Sequence, residues 1–133
     1  MGKREREKGK RGEREARDEL GAILNVNARR GVQFQGGPDS PDVVLDAAIH
    51  VECKRTETLS VYVAMAQAQG DANEDNVPIV WHRRNKKPSL VIVQTSDLVR
   101  LAREVVRCVG MDAEDYEYQD PIQDGWIGSD GRP

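Results

Sequence analysis

Between residues 42 and 54, apolar and polar positions alternate along two short arms. Val43, Leu45, Val51 and Cys53 fall on one face, and Asp42, Val44, His50, Glu52 and Lys54 fall on the other. A period of two on both arms predicts a hairpin of half-buried strands. With Asp46, Ala47 and Ala48 as the turn, residue 45 faces 49, 43 faces 51 and 42 faces 52. Upstream the period is helical. Ala16, Leu20, Ile23 and Leu24 make one apolar stripe of a helix over about 9–25. Residues 25–30 leave that helix and turn, and 31–34 read as a short strand before the flexible segment 35–38. After the hairpin, Ser60 is the expected N-cap of a helix over 60–72, with Val61, Ala64, Met65, Ala68 and Ala72 facing inward. Two more strands follow at 77–82 and 90–93. The second is apolar throughout, as for a strand buried on both faces. Ser96 opens a last helix to Cys108, with Leu98, Leu101, Ala102, Val105 and Cys108 on one side, and Gly110 stops it.

The hairpin is also where chemistry concentrates. Directly opposed Cβ atoms of an antiparallel pair lie about 4.5–5.5 Å apart. Asp42 and Glu52 therefore share a face, and Lys54, two residues past Glu52, points the same way. The turn holds no Gly or Asn, and a slip of one residue would set Asp42 opposite Cys53 instead. Two close carboxylates repel unless a cation or proton joins them. A hard divalent ion takes such oxygens and keeps several waters, one of which can become a nucleophile toward phosphate. A lysine beside it can orient that water or stabilise the transition state. An exposed face of ordinary salt-bridging charges is the plain alternative.

Other residues attach to this centre. Glu13 lies three residues before Ala16 and seven before Leu20, so it continues the core-facing stripe, where an unpaired charge is costly and wants a partner. Glu15 is expected to point well away. Asp39 follows Pro38 as Asp42 follows Pro41 and competes for the metal role; Asp42 is preferred because it opens the apolar strand. Arg29 and Arg30 suit either phosphate or a nearby acid. Gln67 and Gln69 are within reach of the hairpin, although glutamine on a helix is commonly plain surface. His50 shares the Glu52 face, and His82 reads as structural. The run from Arg83 to Lys87 is either a solvated hairpin connection or a contact to nucleic-acid backbone.

Composition alters one inference. The 133 residues suit one domain, with 38% apolar and 32% charged residues. The net charge of −3 argues against a nucleic-acid partner until it is divided. Residues 111–133 hold seven acids against one arginine, a net −6 that leaves +3 on residues 1–110. Residues 1–8 form a basic N-terminal arm, 9–110 the folded domain, and 111–133 an acidic tail with Tyr116, Tyr118 and Trp126. The arm is either frayed and solvated or a flexible contact to phosphates. Cys53 and Cys108 read as buried free thiols, neither disulfide nor metal ligands. No secretory signal and no membrane-length apolar run is present, so a soluble cytoplasmic protein with no membrane partner is expected. There is no internal repeat and no glycine-rich phosphate loop.

The element order is helix, three strands, helix, two strands, helix. With Pro41-Asp42 and Glu52-Cys53-Lys54 in that frame, the chain resembles the PD-(D/E)XK nuclease superfamily. Gly9-Lys10-Arg11-Gly12-Glu13-Arg14-Glu15 is similar to the Gly-x-x-x-Glu-Arg-Glu opening of the archaeal-type Holliday junction resolvases. The resemblance covers roughly residues 8–108 and suggests a small bacteriophage or prophage version, acting in the host cytoplasm. It implies an α/β fold of restriction-endonuclease type, order αβββαββα, with a mixed five-stranded sheet flanked by helices. It further implies Mg²⁺- or Mn²⁺-dependent phosphodiester hydrolysis. Asp42, Glu52 and the Cys53 backbone carbonyl would bind metal, Lys54 would position the water, and Glu13 would hold the same or a second ion. The implied partners are DNA, as branched four-way junctions, and a second copy in a homodimer. Arg14, Arg29, Arg30, Arg83, Arg84, Lys86 and Lys87 are the candidate backbone contacts. The same fold also serves nucleases of flaps, ends and single strands, and a non-catalytic DNA-binding or adaptor protein is the remaining rival.

Overall fold

The computed structural model describes residues 2–31 and 42–110. The expected strand residues 32–34, the competing Asp39, Pro41 and the acidic tail lie outside that range.

The first helix, α1 (Lys3–Leu24), begins six residues earlier than the apolar stripe predicts. Lys, Arg and Glu dominate its first turns and are strong helix formers, so the arm continues the helix. The buried stripe is Gly12, Ala16, Leu20 and Leu24, while Ile23 is 63% exposed. Asn25 ends the helix in the left-handed region at φ 55°. The next strand, β1 (Ala28–Arg30), comes three residues before the expected 31–34. Val26, Ala28 and Arg30 are half-buried while Asn27 and Arg29 are exposed, an alternation that the arginines conceal in the sequence.

The hairpin forms as expected, with β2 (Val43–Leu45) and β3 (Ile49–Arg55) joined by residues 46–48. Val43 pairs with Val51 and Val44 with His50, antiparallel, which is the unslipped register. Both inward rows, Val43 and Leu45 on one arm and Ile49 and Val51 on the other, are buried, so a slip would turn one row outward. The helix α2 (Val61–Asp71) buries Ala64, Met65 and Ala68, whereas Val61, expected inward, is exposed in the first turn; Ser60 precedes the helix but its side chain makes no capping bond. β4 (Val77–Arg83) then runs parallel to β3 over seven residue pairs.

β5 (Leu90–Ile92) corrects an expectation. It lies at the sheet edge against β4 alone, and Leu90 and Val91 are 56% and 46% exposed. The strand buried on both faces is β4, because it has neighbours on both sides and helices on both faces. A 3₁₀ turn (Thr95–Asp97) contains Ser96, and α3 (Leu98–Val109) follows and stops at Gly110, φ 69°. Leu101, Val105 and Cys108 pack on the core, whereas Leu98 and Ala102, expected on the same side, are exposed.

The sheet order is β1-β2-β3-β4-β5, with β3 and β4 parallel and every other pair antiparallel. α1 and α3 cover the face of Val43, Val51, Ile79 and Trp81, and α2 covers the face of Val80. This is the αβββαββα arrangement with a mixed five-stranded sheet that characterises the restriction-endonuclease-like core. Fully buried Trp81 donates its indole N–H to Glu19 Oε1 at 3.0 Å, and Ser89 hydrogen-bonds the same carboxylate. No helix among the described residues is long and apolar enough to cross a membrane.

Candidate active site

Continuing the Val43–Val51 register by one pair brings Asp42 beside Glu52, on the face covered by α2. The ladder loosens there. The Asp42 N–H donates to the Val51 carbonyl at 3.3 Å, and the Asp42 carboxylate accepts the Cys53 N–H at 2.9 Å. The strand register is therefore the expected one, while the carboxylate itself leans to the residue beyond Glu52. The Cys53 backbone thus turns its N–H to the Asp42 edge of the strand.

Glu52 is 5% exposed. Burial, and then the charge of Asp42, push its pKa up from 4.5 to about 7, against the attraction of Lys54. Lys54 Nζ lies 3.5 Å from Glu52 Oε1 and donates to Gln67 Oε1 at 3.0 Å. Gln67, one of two α2 amides considered from sequence, thus holds the lysine from the opposite element.

Glu13, on α1, lies near enough to Asp42 to feel its charge. Gly12, one residue before it, sits so close to β3 that a Cβ there would fall 2.5 Å from Arg55 Cβ and 3.5 Å from Cys53 Sγ. That close approach seats α1 on the strand carrying Glu52 and Lys54. Glu13 takes the Arg30 guanidinium at 2.9 Å, which answers the expectation that it needs a partner. Burial raises its pKa, Arg30 opposes the rise, and Asp42 adds to it. The charge of Asp42 is thus felt at both Glu13 and Glu52. The Cys53 thiol is held well above its usual range by burial first, then by Asp42, Glu13, Glu52 and Glu15.

Glu15 departs from expectation. It does not point away: it meets Arg83 Nη1 at 2.7 Å and Arg55 Nε at 3.5 Å, tying α1 to the ends of β3 and β4. Arg83 also donates to the Lys87 carbonyl at 2.8 Å, so this candidate DNA contact is engaged by the protein. Arg84, Lys86 and Lys87 stand exposed in the loop, with Lys86 at φ 59°. Arg14 and Arg29 are exposed, and Arg30 serves Glu13. His50 is buried, and the His82 ring nitrogen Nε2 hydrogen-bonds the Thr56 carbonyl at 2.9 Å. Cys53 and Cys108 are free thiols, half-buried.

Asp42 and Glu52 supply the hard oxygen donors that Mg²⁺ or Mn²⁺ takes, and the raised pKa of Glu52 marks a place where added positive charge is favourable. Among the described residues, however, no three Asp, Glu, His or Cys side chains converge as a metal-holding group. Each acid is turned to a donor of the chain: Asp42 to Cys53 N–H, Glu13 to Arg30 and Glu52 to Lys54. Sequence reasoning missed Arg55 and Gly12 as the seat of α1. The signal present was a glycine four residues before Ala16 on a core-facing stripe.

The fold is thus restriction-endonuclease-like, with two carboxylates and a lysine on one sheet face. Comparison with protein-family models found no match, and neither did comparison with curated proteins or with solved structures.

Proposed function

We propose that this chain is a metal-dependent, structure-selective DNA endonuclease that resolves four-way junctions by paired nicks as a homodimer. The observation that supports the reading is the unslipped hairpin, in which the charge of Asp42 is felt at buried Glu52 and Lys54 lies 3.5 Å from that glutamate. Asp42, Glu52 and the Cys53 carbonyl are the groups that would hold Mg²⁺ or Mn²⁺, with Glu13 beside them; such an ion supplies charge neutralisation at phosphate and an acidified water. Lys54, held by Gln67, places a positive charge where negative charge develops on the attacked phosphate and can orient the water through its protons. Glu52 near neutrality exchanges a proton for positive charge at little cost, which suits a site that gains and loses a cation. Two symmetric nicks need two such sites, hence the dimer.

The test is cleavage of a synthetic four-way junction with Mg²⁺, beside linear, splayed and flap DNA and a Lys54→Ala control. Paired nicks in the junction alone, lost in the control, support the reading. Cutting of flaps, ends or single strands instead keeps the metal site and removes the resolvase assignment. Absence of cutting with Mn²⁺ as well favours the non-catalytic DNA-binding reading, in which the acids stay engaged by protein donors.

A further inference from the structure

The first two turns of α1, residues 3–11, contain no apolar side chain. They are not needed to fill the core, yet they hold helical geometry beside the candidate active site. Between them and the end of β3 runs a groove of about 750 Å³, lined by six cations and three carboxylates. Its lining includes Glu13 and Lys54, two of the four catalytic candidates, while Asp42 and Glu52 are not part of it.

The charges within it are unequally committed. Lys8 reaches across to Glu57 at 3.0 Å, Arg30 serves Glu13, and Arg55 serves Glu15. Arg6 and Lys10 line the groove without an ion pair among the described residues, and Lys10 is close enough to Glu13 to draw its pKa down. Gly9, on the same wall, leaves open space, with nothing within 4 Å of where a Cβ would stand. Arg6, Gly9, Lys10 and Glu13 follow helical spacing and share one side of α1.

We infer that this groove is the seat of a phosphodiester backbone, with the N-terminal extension of α1 as a rigid basic wall that leads a strand to Lys54. The inference rests on the nuclease reading and deepens it by naming where the substrate strand lies. Arg6 and Lys10 take phosphates directly. Lys8 exchanges Glu57 for a phosphate, which its exposed carboxylate partner permits at little cost. Recognition of this kind follows backbone shape and is strongly salt-dependent.

The experiment measures binding of a fluorescent four-way junction and of a linear duplex by anisotropy, in EDTA and again in Ca²⁺, across roughly 50 to 200 mM salt. The variants are the triple Arg6→Ala, Lys8→Ala, Lys10→Ala and the single Gly9→Glu. Alanine and glutamate are good helix formers, so neither variant threatens α1, and circular dichroism checks this. Arg100→Ala with Arg103→Ala, on α3, is the control. Each lost phosphate contact removes about 0.9 from the log–log salt slope. The triple variant should therefore lose about 2.7 of slope, so that its affinity falls roughly 40-fold less than wild type over that salt range. Gly9→Glu should weaken binding at least tenfold at low salt, and the control should match wild type. A triple variant with wild-type slope and affinity overturns the groove, and if it still cuts DNA the nuclease reading survives. Groove-dependent binding with no cutting in Mg²⁺ or Mn²⁺ supports the groove as a polyanion seat and rejects the nuclease. No binding by wild type in either condition overturns both.

Discussion

Replacing Glu52 with glutamine should stabilise the metal-free protein at alkaline pH and leave it almost unchanged at acid pH. The glutamate is buried, faces Asp42, and carries a pKa of about 7 against an ordinary 4.5. A carboxyl whose folded pKa is raised binds more protons folded than unfolded between those two values. Stability therefore falls as pH climbs through that window, and the penalty is complete above about 7. A difference of 2.5 units corresponds to about 3 kcal/mol, net of the attraction of Lys54. Glutamine imitates the protonated acid and escapes the penalty. The assay is urea unfolding in EDTA at about pH 4, 6 and 8, comparing wild type with Glu52→Gln. The difference between them cancels the titration of groups that do not interact with Glu52. It should be near zero at the acid end and reach about 3 kcal/mol in favour of the variant at the alkaline end. Asp42→Asn, which removes the second cause of the shift, should narrow that gap. A difference that does not change with pH would refute the account of Glu52 as a buried acid in the field of Asp42.

Gly12→Ala and Gly9→Ala should have opposite signs. Both gain about 1 kcal/mol of helix propensity, but the Gly12 Cβ meets Arg55 Cβ at 2.5 Å while Gly9 faces open space. Urea unfolding should show Gly12→Ala less stable by about 1 kcal/mol and Gly9→Ala more stable; equal gains would mean that α1 does not sit against β3 as described. Trp81→Phe removes the indole N–H donor to Glu19 from a fully buried site and should cost roughly 2 kcal/mol in the same assay. Under the nuclease reading, Lys54→Ala should slow single-turnover nicking at least about 100-fold. Gln67→Ala, which only releases the lysine, should slow it by about tenfold or less without weakening DNA binding; equal losses in the two variants would give Gln67 a direct part.

The hairpin register was legible in the sequence because both of its inward rows are apolar and a one-residue slip would expose one of them. The anomaly of Glu13 was legible for a similar reason, since an acid on a core-facing helical stripe demands a partner. The helices and the Gly110 stop follow from period and local backbone preference, which neighbours in sequence decide, whereas Ile23, Val61, Leu98 and Ala102, expected to face inward, lie exposed.

What the chain could not declare locally depends on which elements meet. The run Leu90–Ile92 is equally apolar at a sheet edge or in its interior, and only the strand order makes it an edge. β1 hides behind arginines, one of which is drawn inward by Glu13 across 17 residues. Glu15 looks like surface until folding brings it to Arg55 and Arg83, 40 and 68 positions away. The lean of Asp42 onto the Cys53 N–H is likewise set by how the strand pair opens at its end. Side-chain periodicity favours which face turns inward, but strand order decides how deeply it is buried, and the partner of a charge is decided by whichever opposite charge packing delivers; both require the tertiary structure.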